Sequence, residues 1–228
     1  MHSARLSDAA IALHEALTQA GIRYSITGGF AVNSVVGWYR QCKNVNCLAA
    51  TYKDRIITLL HGRDGFVNIQ TLKPSDDHAT FLWSDNVNRS DSVMVEVWCE
   101  SFHGAQYSMQ NVRMITQAVY GERRGRVYVY LLDVFYLFKE MLRAAAYRNK
   151  QHDELDLQTL VNKYAGTIQA GVPSLNYEMI GLALRRHPEL EAYFVGVGID
   201  VRRAWNSARG VNPDNAVVLG SRQRGILG

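Results

Sequence analysis

The apolar residues of this chain change their period near residue 131, and that change limits the fold more than any single motif does. Before it, residues 22–27, 45–51, 66–70, 79–83 and 93–98 alternate or run apolar over lengths suited to strands, with shorter stretches at 112–115 and 127–130. Helical spacing interrupts them at 30–36 and 52–60. A first helix is predicted ahead of them all, with Ser7 as N-cap, Ala10, Leu13, Leu17 and Ala20 on one face, and Gly21 ending it. After the change, Phe135, Phe138, Met141, Leu142 and Ala145 recur at three and four, and Leu157, Leu160, Val161 and Tyr164 continue the pattern in a second helix. Two more helices are expected at 175–185 and 188–195. The expected class is α+β: a mixed sheet of about four to six strands with flanking helices, followed by a helical bundle. The same pattern sets boundaries at 1–131 for an α/β domain, 132–205 for a helical domain and 206–228 for a tail.

Hydrophobic residues make up 47% of the chain and charged residues 20%, enough apolar material for a sizeable core, which excludes long disorder and low complexity. The most apolar stretch, 127–138, is broken by Asp133 and falls short of the roughly 20 residues a spanning helix needs. Asp8, His14 and Glu15 within the opening pattern do not read as a signal peptide, so a cytoplasmic protein with no membrane partner is expected. Cys42, Cys47 and Cys99 form no C-x-x-C pair and point to reduced thiols rather than disulfides or zinc. The seven histidines show no ligand spacing, and most read as surface or capping residues. A net charge of +4 hints at nucleic acid, but Arg202, Arg203, Arg209, Arg222 and Arg224 against Asp214 carry all of it. A basic tail is not a groove of cations, so nucleic acid is not an expected partner.

The residues that bear on chemistry cluster early. Thr27-Gly28-Gly29-Phe30-Ala31 sets a glycine pair between a strand and a helix, Gly37 and Arg40 follow, and Lys43-Asn44-Val45-Asn46 opens the next strand. A glycine turn lets backbone N–H groups approach a ligand, and residues 44 and 46 on one strand point to the same face. Glu96 sits on a later strand, in Val93-Met94-Val95-Glu96-Val97-Trp98. In the helical half, Leu137-Phe138-Lys139 is followed by Arg143, Arg148 and Lys150, then by Asp153 and Asp156-Leu157. Together these pieces, over roughly residues 20–165, resemble the nucleotidyltransferase-fold superfamily, specifically its small stand-alone members. The resemblance implies Gly-x-x-Arg-x-Thr-x-Asp-hydrophobic-Asp and a third carboxylate, which hold two magnesium ions against a nucleotide triphosphate.

The chain departs from that pattern where the metals would be held. Asn44 and Asn46 stand at the two aspartate positions and Cys42 at the threonine, which leaves Glu96 as the one carboxylate. An amide oxygen brings no negative charge, and magnesium gives up its water reluctantly, so neither metal nor cofactor is expected. The first reading is a repurposed scaffold that acts on a small, largely apolar molecule without metal or nucleotide. Its reaction would need shape and donors, as in a cofactor-independent cyclase of Diels–Alder type in natural-product biosynthesis. Asn44, Asn46, Glu96, Arg40 and Lys43 are its candidate catalytic residues. Gly28, Gly29, Trp98, Phe102, Tyr136, Lys139, Met141 and Arg143 are its candidate substrate-binding residues. Trp38, Tyr39, Trp83 and Tyr107 are further aromatics expected near the strand ends. The alternatives are a magnesium-dependent nucleotidyltransferase present as an Asp→Asn inactive form, and an antitoxin-like interaction module.

Overall fold

The computed structural model describes residues 3–70, 77–102 and 108–212, so Tyr107 and most of the expected tail lie outside the described residues. The chain forms two compact units, Met1–Asp133 and Val134–Gly228. The first holds α1 (Ser3–Gln19), β1 (Tyr24–Thr27), α2 (Gly28–Val36), β2 (Asn44–Ala49), α3 (Lys53–Leu60), β3 (Phe66–Ile69), β4 (His78–Trp83), β5 (Val93–Cys99), β6 (Met114–Tyr120) and β7 (Arg126–Leu132). The strands form one sheet in the order β3-β4-β5-β2-β1-β7-β6. The pairs β2·β5 and β1·β7 are parallel and the other four antiparallel, so the sheet is mixed as expected. Among the described residues it has seven strands, one more than the upper expectation. The two short stretches at 112–115 and 127–130 lengthen into a hairpin whose exposed tyrosines blur the alternation.

The first helix begins earlier than the sequence suggested. Ser7 is inside α1, where its hydroxyl donates to the Ser3 carbonyl at 3.2 Å, and it does not cap the helix. The first turn is fixed instead by long-range partners. Asp8, fully buried, accepts from the backbone N–H groups of Glu122, Arg123 and Arg124 in the β6–β7 loop, the shortest at 2.9 Å. Arg5, also buried, pairs with Asp85 at 2.6 Å and Asp91 at 3.0 Å in the β4–β5 loop and lies 4.5 Å over the Trp83 ring. At the other end Gly21 has φ +64°, with Ile22 N–H bonded to Leu17 O and Gly21 N–H to Thr18 O, both at 3.0 Å. That pair of bonds is a Schellman stop, as the glycine implied.

The sheet's two faces differ in chemistry, and the difference positions the site. On one face Val45 and Cys47 of β2, Val93, Val95, Val97 and Cys99 of β5, and Phe81 and Trp83 of β4 are all 0% exposed. Arg5 of α1 lies over this face at Trp83. On the other face the same strands carry Asn44, Asn46, Glu96, Thr80 and His78, with Thr27 of β1 beside them. Register aligns Thr27 with Asn46, Asn46 with Glu96, and Glu96 with Thr80, so one polar row crosses four adjacent strands. Strand alternation thus separates core from site with no special device.

The second unit holds α4 (Val134–Tyr147), α5 (Gln151–Gly171), α6 (Tyr177–Arg186), α7 (Glu191–Gly196) and α8 (Val201–Ser207). Helix α4 packs on α5 and α6, and α6 on α8. At the α6–α8 crossing a Cβ on Gly181 would stand 2.2 Å from the Ala204 carbonyl, so only glycine permits that approach. The sequence reading did not foresee α8. Its signal is Asp200, which caps it by accepting from Arg203 N–H at 2.9 Å. Among the described residues no helix is long and apolar enough to cross a membrane.

Candidate functional site

Three side chains on the polar face meet. Asn44 Nδ2 donates to Asn46 Oδ1 at 2.8 Å and to Glu96 Oε2 at 2.9 Å. Asn44 and Asn46 are two apart on β2, and parallel pairing sets Asn46 directly beside Glu96, so convergence follows from alternation and register. A carboxylate only accepts, which fixes the Asn44 amide with nitrogen inward, and Asn46 must turn its oxygen toward Asn44. The Asn46 nitrogen then faces the Gly28 backbone. All three groups are half-buried.

The glycine turn closes on this triad from above. Gly28 has φ +70°, and a Cβ there would stand 2.7 Å from Asn46 Nδ2, so both conformation and space demand glycine. A Cβ on Gly29 would stand 2.1 Å from Arg40 Nη2, which places the guanidinium flat against the start of α2. Arg40 Nη1 also donates to the Gln41 carbonyl at 3.2 Å and reaches Cys42 Sγ at 3.6 Å. The loop is held by Asn33, which the sequence reading missed. Fully buried on α2, it donates to the Arg40 carbonyl at 2.8 Å and to Cys42 Sγ at 3.2 Å. Its signal was available: the one amide side chain in the helix Gly28–Val36, where Ser34 is the only other polar side chain.

The other candidates fall into separate groups. Lys43 is exposed, just ahead of β2, and among the described residues it makes no hydrogen bond or ion pair. Trp98 shares the triad's face, 9% exposed, and stacks on His78 at 4.4 Å between centroids. His78 is itself 4% exposed and 3.2 Å from Asp77, so it is neither a surface nor a capping histidine, whereas His187, 3% exposed, is the C-cap of α6. Phe102, half-buried, follows β5. Trp83 is 0% exposed on the opposite, apolar face and does not belong near the site; its strand parity, odd with Phe81, decides that. Trp38 is 44% exposed and packs on Phe30.

In the second unit Tyr136, Lys139, Met141 and Arg143 all lie on α4. Lys139 Nζ stands 5.7 Å from the Tyr136 ring centroid and 5.9 Å from that of Phe135, and burial lowers its pKa. Arg143 lies 5.6 Å over Tyr147. Met141, 3% exposed, is on the buried stripe with Phe138 and Leu142 rather than beside Lys139.

The triad is a poor holder of divalent metal. A cation needs oxygen lone pairs converging on it, but the space between Asn46 Oδ1 and Glu96 Oε2 is bridged by the Asn44 N–H₂ group. One carboxylate remains, and among the described residues no group of three or more His, Cys, Asp or Glu side chains is placed to hold a metal ion. The residues present do not fit a two-magnesium centre. What they offer is a mixed set: the Arg40 guanidinium, the Asn46 amide nitrogen, and the free oxygens of Asn44 and Glu96.

No protein-family model matches this chain, and no curated protein matches it in sequence. Solved structures do match in shape. An antigenic nucleotidyltransferase-like protein from Paracoccidioides brasiliensis superposes with a TM-score of 0.57 at 15% identity, over 84% of this chain and 93% of that one. MenT4, a nucleotidyltransferase toxin from Mycobacterium tuberculosis H37Rv, gives 0.53 at 13% identity, over 95% of this chain and 92% of its own. With the glycine turn at the β1–α2 junction and the paired polar residues on β2, these likenesses establish that the chain has the nucleotidyltransferase fold.

Proposed function

We propose that this chain uses the nucleotidyltransferase fold to bind a small organic molecule at the Gly28–Gly29 turn and the Asn44–Asn46–Glu96 triad, without a divalent cation. The observation that carries this reading is the Asn44 amide donating to both Asn46 and Glu96, which puts hydrogen-bonded nitrogen where metal-bound oxygen would be needed. The ligand it suits accepts from Arg40 and the Asn46 amide and donates to Glu96 or Asn44. In this reading no nucleophilic step is needed: catalysis rests on positioning and on polarising a carbonyl. A cofactor-independent cyclisation belongs to that class and is the catalytic form of the proposal.

Titration calorimetry with magnesium and ATP tests it: the expected result is no binding tighter than about millimolar, equivalent to about 4 kcal/mol. Tight magnesium-dependent binding overturns it. The double variant Asn44→Asp, Asn46→Asp addresses the alternative of an inactivated transferase. If the rest of the machinery is that of a nucleotidyltransferase, the variant gains metal-dependent nucleotidyl transfer. If the cleft is repurposed, it gains metal affinity without transfer.

A further inference from the structure

Strand β6, Met114–Tyr120, is an edge of the sheet, and it lacks the protections that edges normally carry. Its sequence, Met-Ile-Thr-Gln-Ala-Val-Tyr, holds no charge, no proline and no glycine over seven residues. The opposite edge, β3, is only four residues long. Beside β6, β7 presents Tyr128 and Tyr130 at 53% and 40% exposure, and Tyr120 at the end of β6 is 62% exposed. Three of the large apolar side chains left in solvent are therefore on this one hairpin.

The outward backbone groups can be assigned. Gly121 N–H bonds to Gly125 O at 2.8 Å, so bonded pairs to β7 fall on the odd residues 115, 117 and 119. Met114, Thr116, Ala118 and Tyr120 then direct their N–H and C=O groups away from the sheet. We infer that β6 pairs antiparallel with β6 of a second copy of this chain, forming a two-fold dimer with a continuous fourteen-stranded sheet, twice the seven strands of one copy.

The sequence of β6 is self-complementary about Gln117. A two-fold axis there sets Thr116 opposite Ala118, Ile115 opposite Val119, and Met114 opposite Tyr120, so apolar meets apolar and the exposed Tyr120 ring gains a thioether neighbour. The outward groups of the even residues face one another in that register, giving about eight backbone hydrogen bonds. Charge does not oppose it. Arg123 and Arg124 are paired within the chain to Asp85 and Glu15. Arg126, whose guanidinium bonds to Tyr128 Oη at 2.6 Å, lies opposite Tyr120 at the far end of the strand from the axis. An isologous interface of this kind closes on itself and exhausts the edge, which is why the unprotected strand need not drive open-ended aggregation.

The test is sedimentation velocity of the full chain over a concentration series. The expected species has twice the 25.7 kDa mass of one chain. The double variant Thr116→Lys, Ala118→Lys places like charges across the axis and is expected to weaken association at least tenfold while circular dichroism shows the fold retained. In hydrogen exchange, amides of Thr116 and Ala118 gain protection with concentration in the wild type and lose it in the variant. A chain that stays monomeric, or a dimer that the folded variant leaves intact, overturns the inference. If the double variant does not fold, exchange at Thr116 and Ala118 in the wild type decides alone: protection independent of concentration refutes edge pairing. Capture of a different protein or of nucleic acid on the hairpin by a chain that remains monomeric refutes it also.

Discussion

Replacing Asn44 by aspartate changes a single group from NH₂ to O, and the triad turns that change into a measurable cost. The wild-type amide donates at 2.8 Å and 2.9 Å; the variant presents an oxygen to two oxygens at those places. Two hydrogen bonds are lost, one of them to a charged acceptor, and half-exposure keeps their sum at the low end, about 2 kcal/mol together. Two carboxylates about 4 Å apart repel by about 4 kcal/mol at an effective dielectric of about 20, and half-exposure of the pair reduces that to about 2 kcal/mol. The variant should therefore be less stable than the wild type by about 3–4 kcal/mol at neutral pH, a fall in melting temperature of roughly 8–15 °C for a chain of this length.

The sign of the pH dependence follows from proton sharing. The folded variant keeps a proton between its two carboxyls at a pH where the unfolded chain has lost both. Its deficit is full above the carboxylate range and shrinks as pH falls, because the folded state binds more protons. Magnesium at about ten times its dissociation constant returns about 1.4 kcal/mol to the variant and nothing to the wild type. Thermal melts of both proteins at acid and neutral pH, with and without magnesium, read all of this. Equal stability of the two proteins at neutral pH would show that the Asn44 amide does not bridge Asn46 and Glu96.

Asp8→Ala removes the buried acceptor of three backbone N–H groups and a partner of Arg5, and should cost about 3–5 kcal/mol by denaturant unfolding. Burial pushes the Asp85 carboxyl up, but the Arg5 hydrogen bond and the charges of Arg5 and Arg123 outweigh it and hold it below its usual value. The stability it adds is complete above the ordinary carboxylate range and is lost as pH falls through the lower folded value, so Arg5→Gln should flatten the acid limb of a stability–pH curve below about pH 4. Burial raises the Cys99 thiol to about 12 and Cys47 well above its usual value, and Cys42 is buried too, so a thiol reagent at neutral pH should label these cysteines only after unfolding. Fast labelling of Cys47 in the folded protein would contradict the core assigned to the apolar face.

The convergence of Asn44, Asn46 and Glu96 in the candidate site was legible in the sequence because it depends on short-range geometry. Glycine after a strand, and two amides two residues apart, carry their own spatial meaning, and only the pairing of β2 with β5 had to be supplied for Glu96 to join them. Features set by distant partners were not legible. Ser7 looked like a helix cap because nothing local reveals that Arg5 and Asp8 are tied to loops about a hundred residues away. Trp83 looked like a cleft aromatic because proximity in sequence to a strand end says nothing of parity, and one residue's shift turns a side chain to the opposite face. The burial of His78 was not legible because its stacking partner Trp98 is across a strand pair, not along the chain.

The clasp formed by the first turn of α1 also bears on how the chain acquires its structure. Arg5 and Asp8 are made well before their partners, which stand at 84–91 and 122–124, the last near the end of the first unit. Helix α1 must therefore wait, with its apolar face unmet, until nearly the whole sheet has emerged. Closing contacts of such separation is slow, so α1 should dock late and the exposed intermediate should be the species that holding chaperones recognise. A truncation that trims the first eight residues would leave the sheet's residues intact and still deprive two remote loops of the charges that fasten them.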